Sequence, residues 1–141
     1  MSYLGHIIDA EGLHPTNDKL TAVENVPIPN YVSSLKSFLG LLMFYVRYLS
    51  NHSTVLAPLN NLLKEKVPLR WTKVENNAFV SAKKLLINSQ TLVHYDPSLQ
   101  LYLSCDASSY GAGAVLCRNI YVFYRPISFA SCTLTDAQRN Y

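Results

Sequence analysis

An α+β fold is predicted, with a helical unit first and an antiparallel three-stranded sheet after it. Three features predict it: apolar residues recur at helical spacing between positions 35 and 86, the period shifts to two from position 99, and turn signals separate the two regimes. The 141 residues are 49% hydrophobic and 15% charged, enough for one sizeable core or two small ones. Apolar residues run through the whole chain, so no segment has the composition of a disordered tail.

The opening residues YLGHIIDAEGLHP are rich in β-formers around a polar AEG turn and predict a hairpin ending at Pro15. A short helix follows, capped by Thr16 or Asn17, with Asp18 in its first turn, and Pro27 and Pro29 stop it. In the next helix Leu35, Phe38, Leu39, Leu42, Val46 and Leu49 form one apolar stripe that must be buried. Asn51, His52 and Ser53 break the pattern, and VLAPLNNLLKEK resumes it with Leu59, Leu62 and Leu63. Thr72 and Glu75 have the spacing of a capping box, and Ala78, Ala82, Leu85 and Leu86 line the helix that it starts, over residues 72–88. This helix is expected to carry the contact between the helical unit and the sheet.

Past the HYDP turn, Leu99, Leu101, Leu103 and Cys105 alternate with Gln100, Tyr102, Ser104 and Asp106, a strand that ends on a carboxylate. GAGAVLC predicts a second strand and IYVFYRPISFAS a third, both apolar enough for burial on two faces. The glycines of GAG lack a phosphate-loop pattern and have no helix after them, which favours a close crossing of neighbouring strands. Thr135 and Asp136 start a last helix.

Twelve Lys and Arg against nine Asp and Glu give a net charge of +3, compatible with nucleic acid but common in indifferent proteins. No apolar run approaches the roughly 18 residues that span a bilayer, and no basic segment follows Met1. No membrane association is expected, and the expected location is intracellular, cytoplasmic or nuclear. Cys105, Cys117 and Cys132 are odd in number and form no CxxC pair, so they are expected to be buried free thiols. His6, His14, His52 and His94 lack metal-ligand spacing and are expected in turns or at the surface. Lys36, Arg47, Lys64 and Lys66, with Tyr45 and Tyr48, are candidates for phosphate and sugar contacts. The alternative is that the tyrosines seal the helical core and the lysines are solvated.

Taken in order, these segments resemble the reverse transcriptases of gypsy-type long-terminal-repeat retrotransposons. YLGHIIDAEGLHP resembles the hairpin that ends the polymerase palm, and the stretch from VPIPNYVSSLKSFLGLLMFYVRYLS to NNLLKE resembles the thumb. RWTKVENNAFVSAKKLLINSQTLVHYDPSLQLYLSCDASSYGAGAVL resembles the connection running into the first two RNase H strands, and YRPISFASCTLTDAQRNY the third strand and the start of its first helix. The resemblance implies three parts: palm hairpin and thumb-like helices over 1–70, a connection helix over 71–98, and the N-terminal part of an RNase H-like domain over 99–141. For the parent family it implies a template–primer duplex or an RNA/DNA hybrid as partner and Mg²⁺ as cofactor, with Asp106 as the first RNase H carboxylate, and no metal is expected to be held by this chain alone. The chain departs from the family at Val46, where a second basic residue is usual, and at Gln138, where Glu is usual. The paired polymerase aspartates have no counterpart here, and the later RNase H carboxylates would lie past Tyr141. The implied reading is a truncated RNase H-like fold, catalytically inactive alone, with an open sheet edge that invites self-association. A hybrid-binding module and a protein-interaction remnant are the alternatives.

Overall fold

The computed structural model describes residues 1–64 and 66–141. Three short strands, β1 (Ser2–Tyr3), β2 (His6–Ile8) and β3 (Leu13–Pro15), form an antiparallel sheet in that order. The expected hairpin is β2–β3, its turn held by the Asp9 carboxylate, which accepts from the Glu11 and Gly12 amides. Gly12 sits at φ +146, and a Cβ there would collide with the Leu92 carbonyl. Only glycine therefore lets Leu13 and Leu92 exchange backbone hydrogen bonds of 2.7 and 2.9 Å, which tie the hairpin to the middle of the chain.

Helix α1 (Asn17–Glu24) has Thr16 at its N-cap and Asp18 in its first turn, as the sequence implies, although the Thr16 hydroxyl makes no capping bond. Helix α2 (Val32–Phe44) buries Leu35, Phe38, Leu39 and Leu42. The apolar stripe does not run on through Val46. The chain tightens into a 3₁₀ turn at Val46–Tyr48, which leaves Val46 half-buried and buries Tyr45 and Tyr48. Three residues per turn stack positions three apart, so Tyr45 and Tyr48 take the inward face in place of Val46.

Helix α3 (His52–Asn61) starts inside the segment expected to break the pattern, after Asn51 reverses the chain at φ 50. Helix α4 (Lys73–Ile87) opens on the Thr72–Glu75 capping box and buries Ala78, Phe79, Ala82 and Leu86 against α3 and α1. Lys83 fastens α4 to the end of α1: its ammonium donates to the Glu24 and Val26 carbonyls at 2.9 and 2.5 Å and lies 4.5 Å from the Phe79 ring centroid. It meets the orphan carbonyls of a helix C-terminus with a positive charge, which favours both ends of the contact.

The second sheet, β4 (Leu101–Ala107), β5 (Gly111–Ile120) and β6 (Phe123–Thr133), is an antiparallel meander in chain order, followed by the single turn α5 (Asp136–Arg139). The fold is thus α+β, with two three-stranded antiparallel sheets around a helical core. The third strand begins at Phe123 rather than Ile120, because Tyr121 adopts φ 56 and takes the turn. The sheet is not seated on α4 as expected. It packs on the 3₁₀ turn and α3, with Phe129 of β6 set against the helical core. The buried face of α4 is already spent on α3 and α1.

The strands are also not buried on both faces. The register Asp106↔Gly113↔Ser131 puts these residues in one row on the face toward the helices. The row Cys105↔Ala114↔Ala130 lies on the other face, which stands open: Leu103 is 67% exposed, and Cys105 and Cys132 are exposed. The three thiols are free, but only Cys117, on the helix-facing side, is half-buried, and burial pushes its thiol above the ordinary range.

Candidate nucleic-acid interface and the Asp106 cleft

Asp106 is the penultimate residue of β4, on the helix-facing side, where Ser50, Asn51, Ser104, Gly113 and Phe129 line a small cleft of about 140 Å³ with it. Its Oδ1 accepts from the Ala107 amide at 2.9 Å, and the side chain is exposed. Asp106 does not cap the following turn. Ser108 does, its Oγ accepting from the Tyr110 and Gly111 amides at 3.2 and 3.1 Å.

The expected close approach of strands holds at Gly111, whose Cβ would meet the Cys132 carbonyl at 2.9 Å, and Gly113 has a different task. A Cβ on Gly113 would sit 2.5 Å from Asn51 Oδ1, so this glycine admits the start of α3 onto the sheet. Gly111 faces both the Cys132 carbonyl across the strand and the Ser53 and Thr54 side chains. No group of three His, Cys, Asp or Glu side chains gathers among the described residues. A pair of Mg²⁺ ions needs several carboxylates to hold it, and Asp106 offers one, so these residues do not fit that group and no cleavage step follows from them.

Two histidines expected in turns or at the surface are instead packed against other elements, His52 buried and His6 half-buried. His52 is 6% exposed, and its ring meets Ser131 Oγ at 2.8 Å with the Leu49 carbonyl at 3.4 Å. Ser131 Oγ in turn donates to Ser53 Oγ at 3.0 Å and accepts from the Ser53 amide at 3.1 Å. These partners assign the Nδ1–H tautomer, and burial lowers the pKa of the ring. The knot joins α3 to β6 across 79 residues of sequence. His6 is half-buried, stacked on Phe44 and Tyr48 at 5.4 and 5.7 Å, with Nδ1 2.9 Å from the Tyr48 hydroxyl. Desolvation and then Arg47 lower its pKa.

The candidate nucleic-acid residues divide sharply. Tyr45 and Tyr48 are 1% and 2% exposed, with the Tyr45 hydroxyl donating to the Gly5 carbonyl at 3.3 Å and burial pushing Tyr48 up to about 12. Their rings are core residues with no face to lay on a sugar, which corrects their assignment as contacts. Lys36, Arg47, Lys64 and Lys66 are exposed. Lys36 lies on α2 on an outward stripe with Gly40, Met43 and Phe44, and Arg47 follows in the 3₁₀ turn. Met43 is 50% and Phe44 54% exposed, and a Cβ on Gly40 would meet nothing within 4 Å. Sequence reasoning passed over Gly40 and Phe44, although a lone glycine inside an otherwise strong helix was the available signal. Lys64 lies off this stripe, beyond α3.

A strand meander seated on a helical unit, with a carboxylate near the end of its first strand, is the arrangement that the resemblance implies, and comparison with known proteins gives the class. Residues 71–141 match the RNase H-like domain found in reverse transcriptase. The chain belongs to that family. It is 34% identical over 141 residues to the retrovirus-related Pol polyprotein from transposon 297 of Drosophila melanogaster, which covers 99% of this chain and 13% of that protein. It is 30% identical over 142 residues to the transposon Tf2-3 polyprotein of Schizosaccharomyces pombe, covering 100% of this chain and 11% of that one. The chain thus spans a small part of the polyproteins that it matches. The foamy viral protease–reverse transcriptase dRH in complex with double-stranded DNA shares the fold at a TM-score of 0.84 and 23% identity, over 99% of this chain and 25% of that one. The same viral enzyme in complex with an RNA/DNA hybrid gives 0.83 over 99% of this chain and 19% of that one, also at 23% identity.

Proposed function

We propose that the helical unit is the thumb and connection of a gypsy-type reverse transcriptase, and that the outward stripe of α2 lies against a template–primer duplex or an RNA/DNA hybrid. Gly40 carries this reading. A glycine inside a helix costs about 1 kcal/mol relative to alanine, and no neighbour here needs the space. A bare helix backbone beside an exposed Phe44, with cations before and after it, suits close approach to a nucleic-acid groove while Lys36 and Arg47 meet phosphates. That the foamy viral neighbours are described with double-stranded DNA and with a hybrid supports the choice of ligand.

The test is salt-dependent binding of a labelled hybrid. Replacing Lys36 and Arg47 together by alanine is expected to weaken binding about tenfold and to lower the salt slope by about 2, at roughly 0.9 per phosphate contact. No binding at about 50 mM salt would sink the reading.

Chemistry is assigned more narrowly. Asp106 is read as one inherited Mg²⁺ ligand, insufficient by itself, so the chain alone is expected to leave a hybrid intact in Mg²⁺. Cleavage that disappears in Asp106→Asn would overturn this.

A second reading, self-association through the sheet, is favoured by the open apolar face and by the β5–β6 turn, where Tyr121, Val122 and Phe123 are 92%, 85% and 73% exposed. Light scattering decides it. Concentration-dependent dimers are expected, and a monodisperse monomer with cooperative unfolding would count against the idea.

A further inference from the structure

We infer that the cleft between α3 and α5 is a binding site for a phosphodiester of a polynucleotide backbone. The cleft, of about 400 Å³, lies where the helical unit meets the end of the sheet, and Thr54, Asn61, Lys64, Tyr110, Thr133 and Arg139 line it. Two of these are cations, the rest of the six are neutral, and no carboxylate lines it among the described residues. The Arg139 guanidinium is held in place, 5.6 Å from the Tyr110 ring centroid, and its side chain is 34% exposed. Among the described residues its acidic neighbour is Asp136, which stands 3.9 Å away and is 99% exposed, so water screens most of that charge.

A backbone hydrogen bond fixes the sheet-side wall of the cleft. The Leu134 amide donates to the Tyr110 carbonyl at 2.9 Å, tying the β4–β5 turn to the lead-in of α5. Arg139 lies beside this tie through the Tyr110 ring, and a planar guanidinium partly out of water pairs strongly with a phosphate. Lys64 adds a second, mobile charge, the amide and hydroxyl side chains add neutral donors, and the 56% exposed Tyr110 ring offers a surface for a sugar. A lone carboxylate would use few of these groups, whereas a phosphodiester with its sugar uses both the charges and the ring. The site rests on the nucleic-acid reading for the identity of its ligand, but shares no residue with the α2 stripe.

The direct test follows amide resonances of the full chain by NMR during titration with the dinucleotide pTpT and, separately, with inorganic phosphate. The dinucleotide is expected to shift Tyr110, Thr133 and Arg139 saturably, with about tenfold weaker binding in Arg139→Gln and partial recovery in Arg139→Lys. Inorganic phosphate is expected to bind more weakly at the same resonances. Absence of pTpT shifts there, or equal affinity for free phosphate, overturns the proposal. In hybrid binding, Lys64→Ala with Arg139→Gln should lower the salt slope by about 2. If only this pair lowers it while the Lys36 and Arg47 replacements do nothing, the α2 reading fails and this site stands. If only the α2 replacements lower it, this site fails and the α2 reading stands.

Discussion

His52 is held neutral by its surroundings: a second proton on its buried ring would gain no partner at Nε2 among the described residues while losing solvent. Its pKa is lowered from 6.5 in the fold, so the unfolded chain takes up a proton first as the pH falls. Stability from this group is therefore present above about pH 6.5 and lost below it. Urea unfolding midpoints are expected to fall between about pH 7 and pH 5, less steeply in His52→Asn, with His6 supplying the remaining slope. A pH-independent midpoint would contradict this. Replacing Ser131 by alanine strands the Ser53 amide, leaves the His52 Nδ1–H only the longer bond to the Leu49 carbonyl, and should cost about 1–3 kcal/mol by the same measurement. None of this was legible in sequence, since a histidine after Asn51 looks like a turn residue until a strand 79 residues away supplies its partner. Tyr45 and Tyr48 show the same limit, because an aromatic beside Arg47 suits a nucleic-acid surface and a core equally well until the backbone path is known.

Elements specified by neighbours in sequence were readable. The Thr72–Glu75 capping box involves residues three apart, and its reciprocal bonds form as their spacing implies. Thr72→Ala is expected to cost about 1 kcal/mol, read from thermal unfolding. The end of α2 was less legible, because apolar residues continue past Phe44 while the backbone changes to a 3₁₀ turn, and the hydrophobic pattern alone does not distinguish the two periods. In β4 to β6 the period of two gave the strands correctly, yet which face is covered is decided elsewhere. Gly113 receives α3 on one side, and the other side stays open. Gly111→Ala should press on the Cys132 carbonyl and the start of α3 and lower stability by about 1–3 kcal/mol, while Ala114→Ser on the open face should change it by less than about 0.5 kcal/mol. Equal effects would mean that the two faces have been assigned wrongly.

At the scale of the molecule, the order of recognisable segments carried the family, and residues 71–141 belong to it. The seating of the sheet on α3 and the 3₁₀ turn was not carried by that order, because it depends on Phe129, Ser131 and two glycines converging from distant positions. Asp106 was legible as a strand-end carboxylate, whereas the feature that gives the nucleic-acid reading its strongest support, an unfilled glycine on α2, showed its meaning only once the space around it was known. The most direct test is Gly40→Ala with two readouts on the same sample. Thermal stability is expected to rise by about 0.5–1 kcal/mol, as a helix freed of a glycine should, while affinity for an RNA/DNA hybrid falls severalfold because the helix backbone no longer reaches the groove. Affinity that is unchanged or rises with stability would contradict the nucleic-acid reading.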